Sequence, residues 1–234
     1  MENDFLDEYV KFLNSLSTSI YQIPKFTLPS YFKNLQVNTD ALSERTKRSL
    51  KTLGDFGWYL PSLNHPCNLP TQLAEELIKG NEDYVNKEMC IMIKKEFKYL
   101  CNQLLDKNHK RIKLLKSAFK AHKSKKYALS VPVFLSQAEG ICKEISGHSL
   151  FLKDREHNCP QTKKYIDSLN KNSFIISYLE PLRIVLPIIF SGKDNQNVKF
   201  NRHRILHGED IMYDTELISL KAFSLLSYIN TILR

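Results

Sequence analysis

The chain has 234 residues, 42% hydrophobic and 25% charged, a balance that excludes a disordered polymer and allows one large domain or two small ones. Lys and Arg number 34 against 25 Asp and Glu, a formal charge of +9, which favours nucleic acid or another polyanion as partner. The cysteines, Cys67, Cys90, Cys101, Cys142 and Cys159, are odd in number and lack the close spacing of a zinc knuckle or redox pair, so reduced thiols and a cytoplasmic location are expected.

Few glycines and apolar spacings of three and four predict an all-α protein. Phe5, Tyr9, Phe12 and Leu16 make one stripe of an opening helix, which the prolines between Ile23 and Pro29 end. The acidic, polar start MENDFLDEYV argues against a secretory signal. A second helix is expected near Asp40 to Leu53. Gly54, Gly57 and Pro61 then bracket Trp58 and Tyr59, and Trp58 reads as a core anchor in preference to a base-stacking platform. Thr71 is the expected N-cap of the next helix, with Glu75 in its first turn and Gly80 as its stop. Asn81 opens a longer helix to about Leu105, carrying Met89, Ile93, Phe97 and Leu100 on one face.

From Lys107 to Lys126 the chain holds Lys107, Lys110, Arg111, Lys113, Lys116, Lys120, Lys123, Lys125 and Lys126, and no acid. Ile112, Leu115 and Phe119 keep an apolar stripe, so the charges fall on the outward faces of a helix. Two readings stand together: a solvated face, or a track for an RNA backbone through Lys110, Arg111, Lys113, Lys116 and Lys120. Tyr127 to Ser146 is the next helix, with Pro132 near its start or at a kink. Glu139 sits among its apolar residues. Gly147 to Gln161 reads as a loop whose His148, His157 and Cys159 match no zinc spacing. The apolar stretch from Ser173 to Phe190 is interrupted by Glu180, Pro181, Arg183 and Pro187, so no membrane span is expected. A turn from Gly192 to Asn197 follows.

The next stretch, Asn201 to Gly208, reads NRHRILHG. Arg202 carries a fixed planar charge suited to phosphate, and His203 and His207 are of the type that trades protons near neutral pH. If Val198 to His207 is helical, Gly208 is its left-handed terminator. His203 and His207 then share a face, whereas Arg202 lies roughly 100° from His203 and about 140° from His207. A single copy converges poorly. HRILH also spaces its histidines as a zinc metalloprotease does, but Arg204 stands where the catalytic glutamate belongs. Neither a metal nor a cofactor is therefore expected. A structural alternative also stands, in which cationic side chains simply offset a helix C-terminus.

Arg202, the polar His203, the trio Arg204, Ile205 and Leu206, and then His207 resemble the hallmark motif of the HEPN superfamily, which also precedes a last core helix. The resemblance covers about Lys110 onward. It implies an all-helical bundle with a HEPN-like domain over 107–234 behind an N-terminal helical region over 1–106. It further implies a dimeric, metal-independent endoribonuclease, of a kind found in toxin and phage-defence systems. In that reading His207 is the acid/base residue, Arg202 stabilises the phosphorane, and His203 orients phosphate or shares proton transfer. Asn201 and Glu209 are second-tier orienting residues. Glu139 either steers the motif's arginine, as acids on earlier helices do in parts of that family, or faces solvent at a boundary. The expected partners are single-stranded RNA or tRNA, a second copy of the chain, and an antitoxin or regulatory protein. The alternative is the same fold as a dimeric RNA-binding or partner-binding module without turnover.

After the motif, Asp214 or Thr215 should cap the final helix with Glu216 in its first turn. Ile218, Ala222, Leu225, Ile229 and Ile232 form its stripe, and Leu217, Leu220, Phe223, Leu226, Tyr228 and Leu233 widen it almost all round. Such a helix must be covered on several sides, and a core face plus a homodimer contact is the expected solution.

Overall fold

The last helix is the axle of the structure, and its sequence explains why. In the computed structural model, which describes residues 39–169, 173–184, 188 and 200–234 (39–43 and 173–175 as backbone alone), every residue from Ile218 to Asn230 is buried. The described helices are α1 (Thr39–Asp55), α2 (Leu69–Ile78), α3 (Glu82–Lys107), α4 (Ile112–Lys123), α5 (Tyr127–Ser146), α6 (Thr162–Asp167), α7 (Ser173–Ile184), α8 (Arg202–Leu206) and α9 (Glu216–Tyr228). A 3₁₀ turn, His109–Arg111, precedes α4, and a π turn, Ile229–Leu233, continues α9. No strand occurs among the described residues; Lys153 and Pro160 form an isolated bridge. The fold is all-α. The opening stripe from Phe5, the prolines from Ile23, Pro187 and the turn from Gly192 lie outside the described residues.

Two compact units are present, Met1–Arg45 and Thr46–Arg234. In the second, α9 packs on α5 and α3, and α5 packs on α4, so helices on both sides of residue 106 share one core. Phe223 of α9 meets Phe97 of α3, Phe134 of α5 and Phe119 of α4, with ring centroids 4.4, 5.4 and 6.0 Å away. Four helices thus bury one aromatic cluster, which gains both area and favourable tilted ring geometry. Trp58 is the anchor expected of it, 1% exposed, with its indole N–H donating to Asn86 Oδ1 at 2.9 Å.

The polar residues of the last helix are placed as carefully as its apolar ones. Asn108 Nδ2 donates to Asn230 Oδ1 at 2.8 Å, the Tyr228 hydroxyl donates to the Tyr178 carbonyl, and Lys221 lies over Trp58 and 4.0 Å from Glu82. Leu226 and Leu233 are fully covered within the chain. The other helices of the same chain enclose this helix, so its burial does not require the second copy that its hydrophobicity suggested. It is also the one described helix long and apolar enough to cross a membrane, and 83% of that window is buried inside the fold.

Caps differ from expectation in instructive ways. Helix α2 starts at Leu69 with Pro70 in its first turn, so Thr71 lies inside it and is not its cap; a proline costs nothing there because the first amides have no helical acceptor. Gly80, at φ +86°, ends the segment as expected. At α9 the cap is Thr215, whose hydroxyl accepts from the Ile218 amide at 3.2 Å. Asp214 instead accepts from the Ala128 amide at 2.8 Å, at the start of α5. Pro132 has no N–H to give the Ala128 carbonyl, and the Tyr213 hydroxyl fills that place at 3.3 Å. The two neighbouring side chains clasp both backbone groups of one residue and so tie the segment after the motif to α5.

Beneath this clasp His122 is buried, stacked 4.8 Å from Phe97, with Nδ1 2.8 Å from Ser219 Oγ, which in turn lies 2.8 Å from Ser130 Oγ. Burial lowers its pKa from the ordinary 6.5, against the pull of Glu216 and with the help of Lys94 and Lys123. A histidine with a depressed folded pKa contributes fully above its unfolded pKa and loses that contribution as pH falls below it. Urea unfolding should therefore show a lower midpoint at about pH 5.5 than at about pH 7.5. His65 shifts in the same direction, so His122→Gln should reduce the drop without removing it. An unchanged drop in that variant would clear His122.

Candidate functional site

Helix α8 is a turn and a half long and is locked at both ends. Asn201, 8% exposed and extended at φ −127° and ψ 108°, caps it: Oδ1 accepts from the amides of His203 at 2.9 Å and Arg204 at 3.3 Å. The helix thus begins at Arg202, not at Val198, because a capping residue must leave helical dihedrals to turn its side chain onto the next amides; residues 198 and 199 lie outside the described residues. Phe200 and Ile205 flank the cap at the positions of a hydrophobic staple, both buried. At the other end Gly208 takes φ +75°, its N–H donates to the Ile205 carbonyl at 3.2 Å, and the Glu209 N–H donates to the Arg204 carbonyl at 2.8 Å. That is a Schellman closure, which needs a residue tolerant of the left-handed region.

Between these locks, His203 and His207 project from one face as the one-turn spacing requires. Their ring centroids lie 4.2 Å apart with a 52° tilt, and both side chains are exposed. Arg202 leaves the helix in another direction. Its guanidinium carbon lies 4.2 Å from the centroid of the Phe151 ring, and Nη2 reaches the Phe151 carbonyl at 3.5 Å. Burial lowers its pKa and the charge of Glu139 opposes that fall. Its Nε is buried without a hydrogen-bond partner, and so is Glu139 Oε2, while Glu139 Oε1 accepts from the Ser149 hydroxyl. Glu139 is half-buried beside Ser149 and forms no ion pair with Arg202, although its charge bears on that arginine. Phe151 and Ser149 carry no signal in the sequence; an aromatic and a serine in a polar loop announce nothing until the loop folds over α5.

Glu209 does not reach the histidines. Its nearest cation is Arg204, 4.0 Å away, with both side chains exposed. Asn201 orients the site through the backbone and not through the side chains of Arg202 or His207.

The basic stretch divides. Arg111 belongs to the fold: it gives Nη2 and Nε to Glu144 at 2.7 and 3.3 Å and Nη1 to Gln137 at 2.8 Å. It lies across α5 at Gly140, where any Cβ would sit 2.7 Å from the guanidinium nitrogens. Glu144 also attracts Lys110. Lys113, Lys116 and Lys120 are exposed, and none has an ion-pair partner among the described residues. His148 and Cys159 do not join a metal-binding group among the described residues. His157 does so with Asp154 and Glu156, their donor atoms lying within 4.8 Å of one another. The Asp154 carboxylate there already accepts from the Glu156 and His157 amides, His157 Nδ1 and Lys164.

Three apolar side chains lie in the open, Leu206 within the motif and Ile211 and Met212 just after it, the last two 81% and 79% exposed. Compared with protein-family models, curated proteins and solved structures, the chain matches none.

Proposed function

We propose that this chain is a metal-independent endoribonuclease of HEPN type, acting as a dimer on single-stranded RNA or tRNA in the cytoplasm, as a toxin or phage-defence effector held by an antitoxin or regulatory partner. The observation that carries the reading is the exposed pair of imidazoles, His203 and His207, fixed one turn apart by a cap on each side and adjoined by a half-buried arginine. In this reaction His207 takes the proton of the ribose 2′-hydroxyl and the 2′-oxygen attacks phosphorus. The bond to the 5′-oxygen breaks, a second imidazole protonates that leaving oxygen, and a 2′,3′-cyclic phosphate remains. Negative charge grows on the non-bridging oxygens, where a guanidinium is most effective.

Because Arg202 and His207 diverge on one short helix, the complete set is drawn from two copies. The contact favoured for that dimer is the open apolar segment at Leu206, Ile211 and Met212, the last helix being enclosed. A specific observation favours the second reading, a binding module without turnover: Arg202 is already engaged by the ring and carbonyl of Phe151. Incubating the protein with single-stranded RNA in the presence of a chelator separates the two. New 2′,3′-cyclic ends support the enzyme; a mobility shift with intact RNA supports the binder.

For RNA contact, Lys113, Lys116 and Lys120 are the candidates that the fold leaves exposed, with Lys110 beside Glu144. Replacing the three by glutamine should flatten the salt dependence of RNA binding by about 0.7 in log–log slope per lost phosphate contact. Arg111→Gln should lower stability instead, since it removes a bidentate partner of Glu144. An unchanged slope in the triple variant would return these lysines to the solvated face.

A further inference from the structure

At the junction of α2 and α3 lies a cavity of about 260 Å³, just below the range of roughly 300–1,000 Å³ common for ligand pockets. Its apolar wall is Leu69, Leu73, Met89 and Met92, and its polar groups are not arranged as a satisfied surface. His65 donates Nδ1–H to the Pro66 carbonyl at 3.1 Å, since a carbonyl can only accept; this leaves Nε2 as a bare acceptor, buried and without a partner. Glu96 accepts from the Ser62 hydroxyl on Oε2 at 3.0 Å. Burial raises its pKa, against that bond and Lys95, and no ion pair with a cation is formed among the described residues. Glu88, half-buried, adds a second acid, whereas Lys95, the one cation of the lining, is exposed. A buried acceptor without a donor, here His65 Nε2, costs stability until a donor arrives.

We propose that this cavity is a binding site for a small protonated amine with an apolar body, its N–H groups directed to His65 Nε2 and Glu96 and its hydrocarbon laid on Leu69, Leu73, Met89 and Met92. The site is separate from the ribonuclease reading and does not depend on it. The class follows from the donor and charge balance: an ammonium supplies donors and positive charge together, and a carboxylate of equal length supplies neither.

The four methionines make the test local. Met89 and Met92 line the cavity, Met212 lies beside the motif, and Met1 is at the N-terminus. With methyl-¹³C methionine in the full chain, hexylammonium should shift the Met89 and Met92 resonances saturably and leave that of Met212 in place. Hexanoate should leave all of them unmoved. Glu96→Gln should weaken the hexylammonium isotherm about tenfold or more, as the loss of a charge-assisted hydrogen bond would. His65→Phe, which keeps the ring against Tyr178, should weaken it as well and shows the effect in a second fold-preserving variant. The proposal is overturned if hexylammonium moves neither cavity methionine, if hexanoate moves them equally, or if both variants bind as the wild type does.

Discussion

Replacing His207 by alanine is expected to abolish RNA cleavage, by at least about 10²-fold, because a positioned acid/base group contributes typically 10²–10⁴. The side chain is exposed, so its removal should leave the fold and its thermal midpoint nearly unchanged, surface substitutions usually staying within about 0.5 kcal/mol. RNA affinity should persist, since the backbone contacts proposed for Lys113, Lys116 and Lys120 lie elsewhere in the chain. The measurement is single-turnover cleavage beside a melting curve on the same sample. A folded variant that cuts at the wild-type rate would remove His207 from the chemistry and return the cluster to helix-end capping. His203→Ala is expected to lose less, if its role is to orient phosphate.

The second large effect is on the core. Phe223→Ala should destabilise the protein by about 3–5 kcal/mol, the usual cost of deleting a buried aromatic ring. Domains of this kind have only about 5–15 kcal/mol in total. The reason for expecting the upper part of that range is that Phe223 joins rings from α3, α4 and α5 at once, so no single neighbour can move in to close the gap. Urea unfolding monitored by Trp58, itself buried in the same unit, measures it. A loss below about 1 kcal/mol would mean that the four-helix junction repacks freely.

Much of the helical order was legible because periodicity is a local property. Tyr127–Ser146 is helical over the whole length expected of it, and Thr39–Asp55 and Glu82–Lys107 extend the expected segments by a few residues. Trp58 was legible as an anchor for the same reason, being large and apolar beside turn residues. The six-residue α6 was not, since so short a piece has no period to read. Partners distant in sequence were illegible in principle. Arg111 looked unpaired because its acid, Glu144, comes from another helix 33 positions away. Asp214 looked like the cap of the helix it precedes, yet it caps the one that begins 87 residues before it, at Tyr127. The last helix looked as if it needed a second copy, because hydrophobicity all round reports that something covers it and not what.

The site shows the same division. The cap at Asn201 joins the terminator at Gly208 and the shared face of His203 and His207 as consequences of helix geometry, and the latter two were legible in NRHRILHG. The seat of Arg202 on Phe151 depended on a loop folding back over α5. Glu139 stood out beforehand as a carboxylate among apolar neighbours, which the family resemblance offered either to the arginine or to solvent. That seat is what makes the assembly question decisive, for it turns the arginine away from the histidine that it would serve in the proposed reaction.

Mixing Arg202→Ala subunits with His207→Ala subunits, each inactive alone, therefore tests the account most directly. If each site takes its arginine from one copy and its histidine from the other, the mixed dimer keeps one complete site, and cleavage in the presence of a chelator should return to a substantial fraction of the wild-type level. Mixtures that exchange subunits and stay inactive, or a wild-type protein that sediments as a monomer at micromolar concentration while cutting RNA, would contradict it.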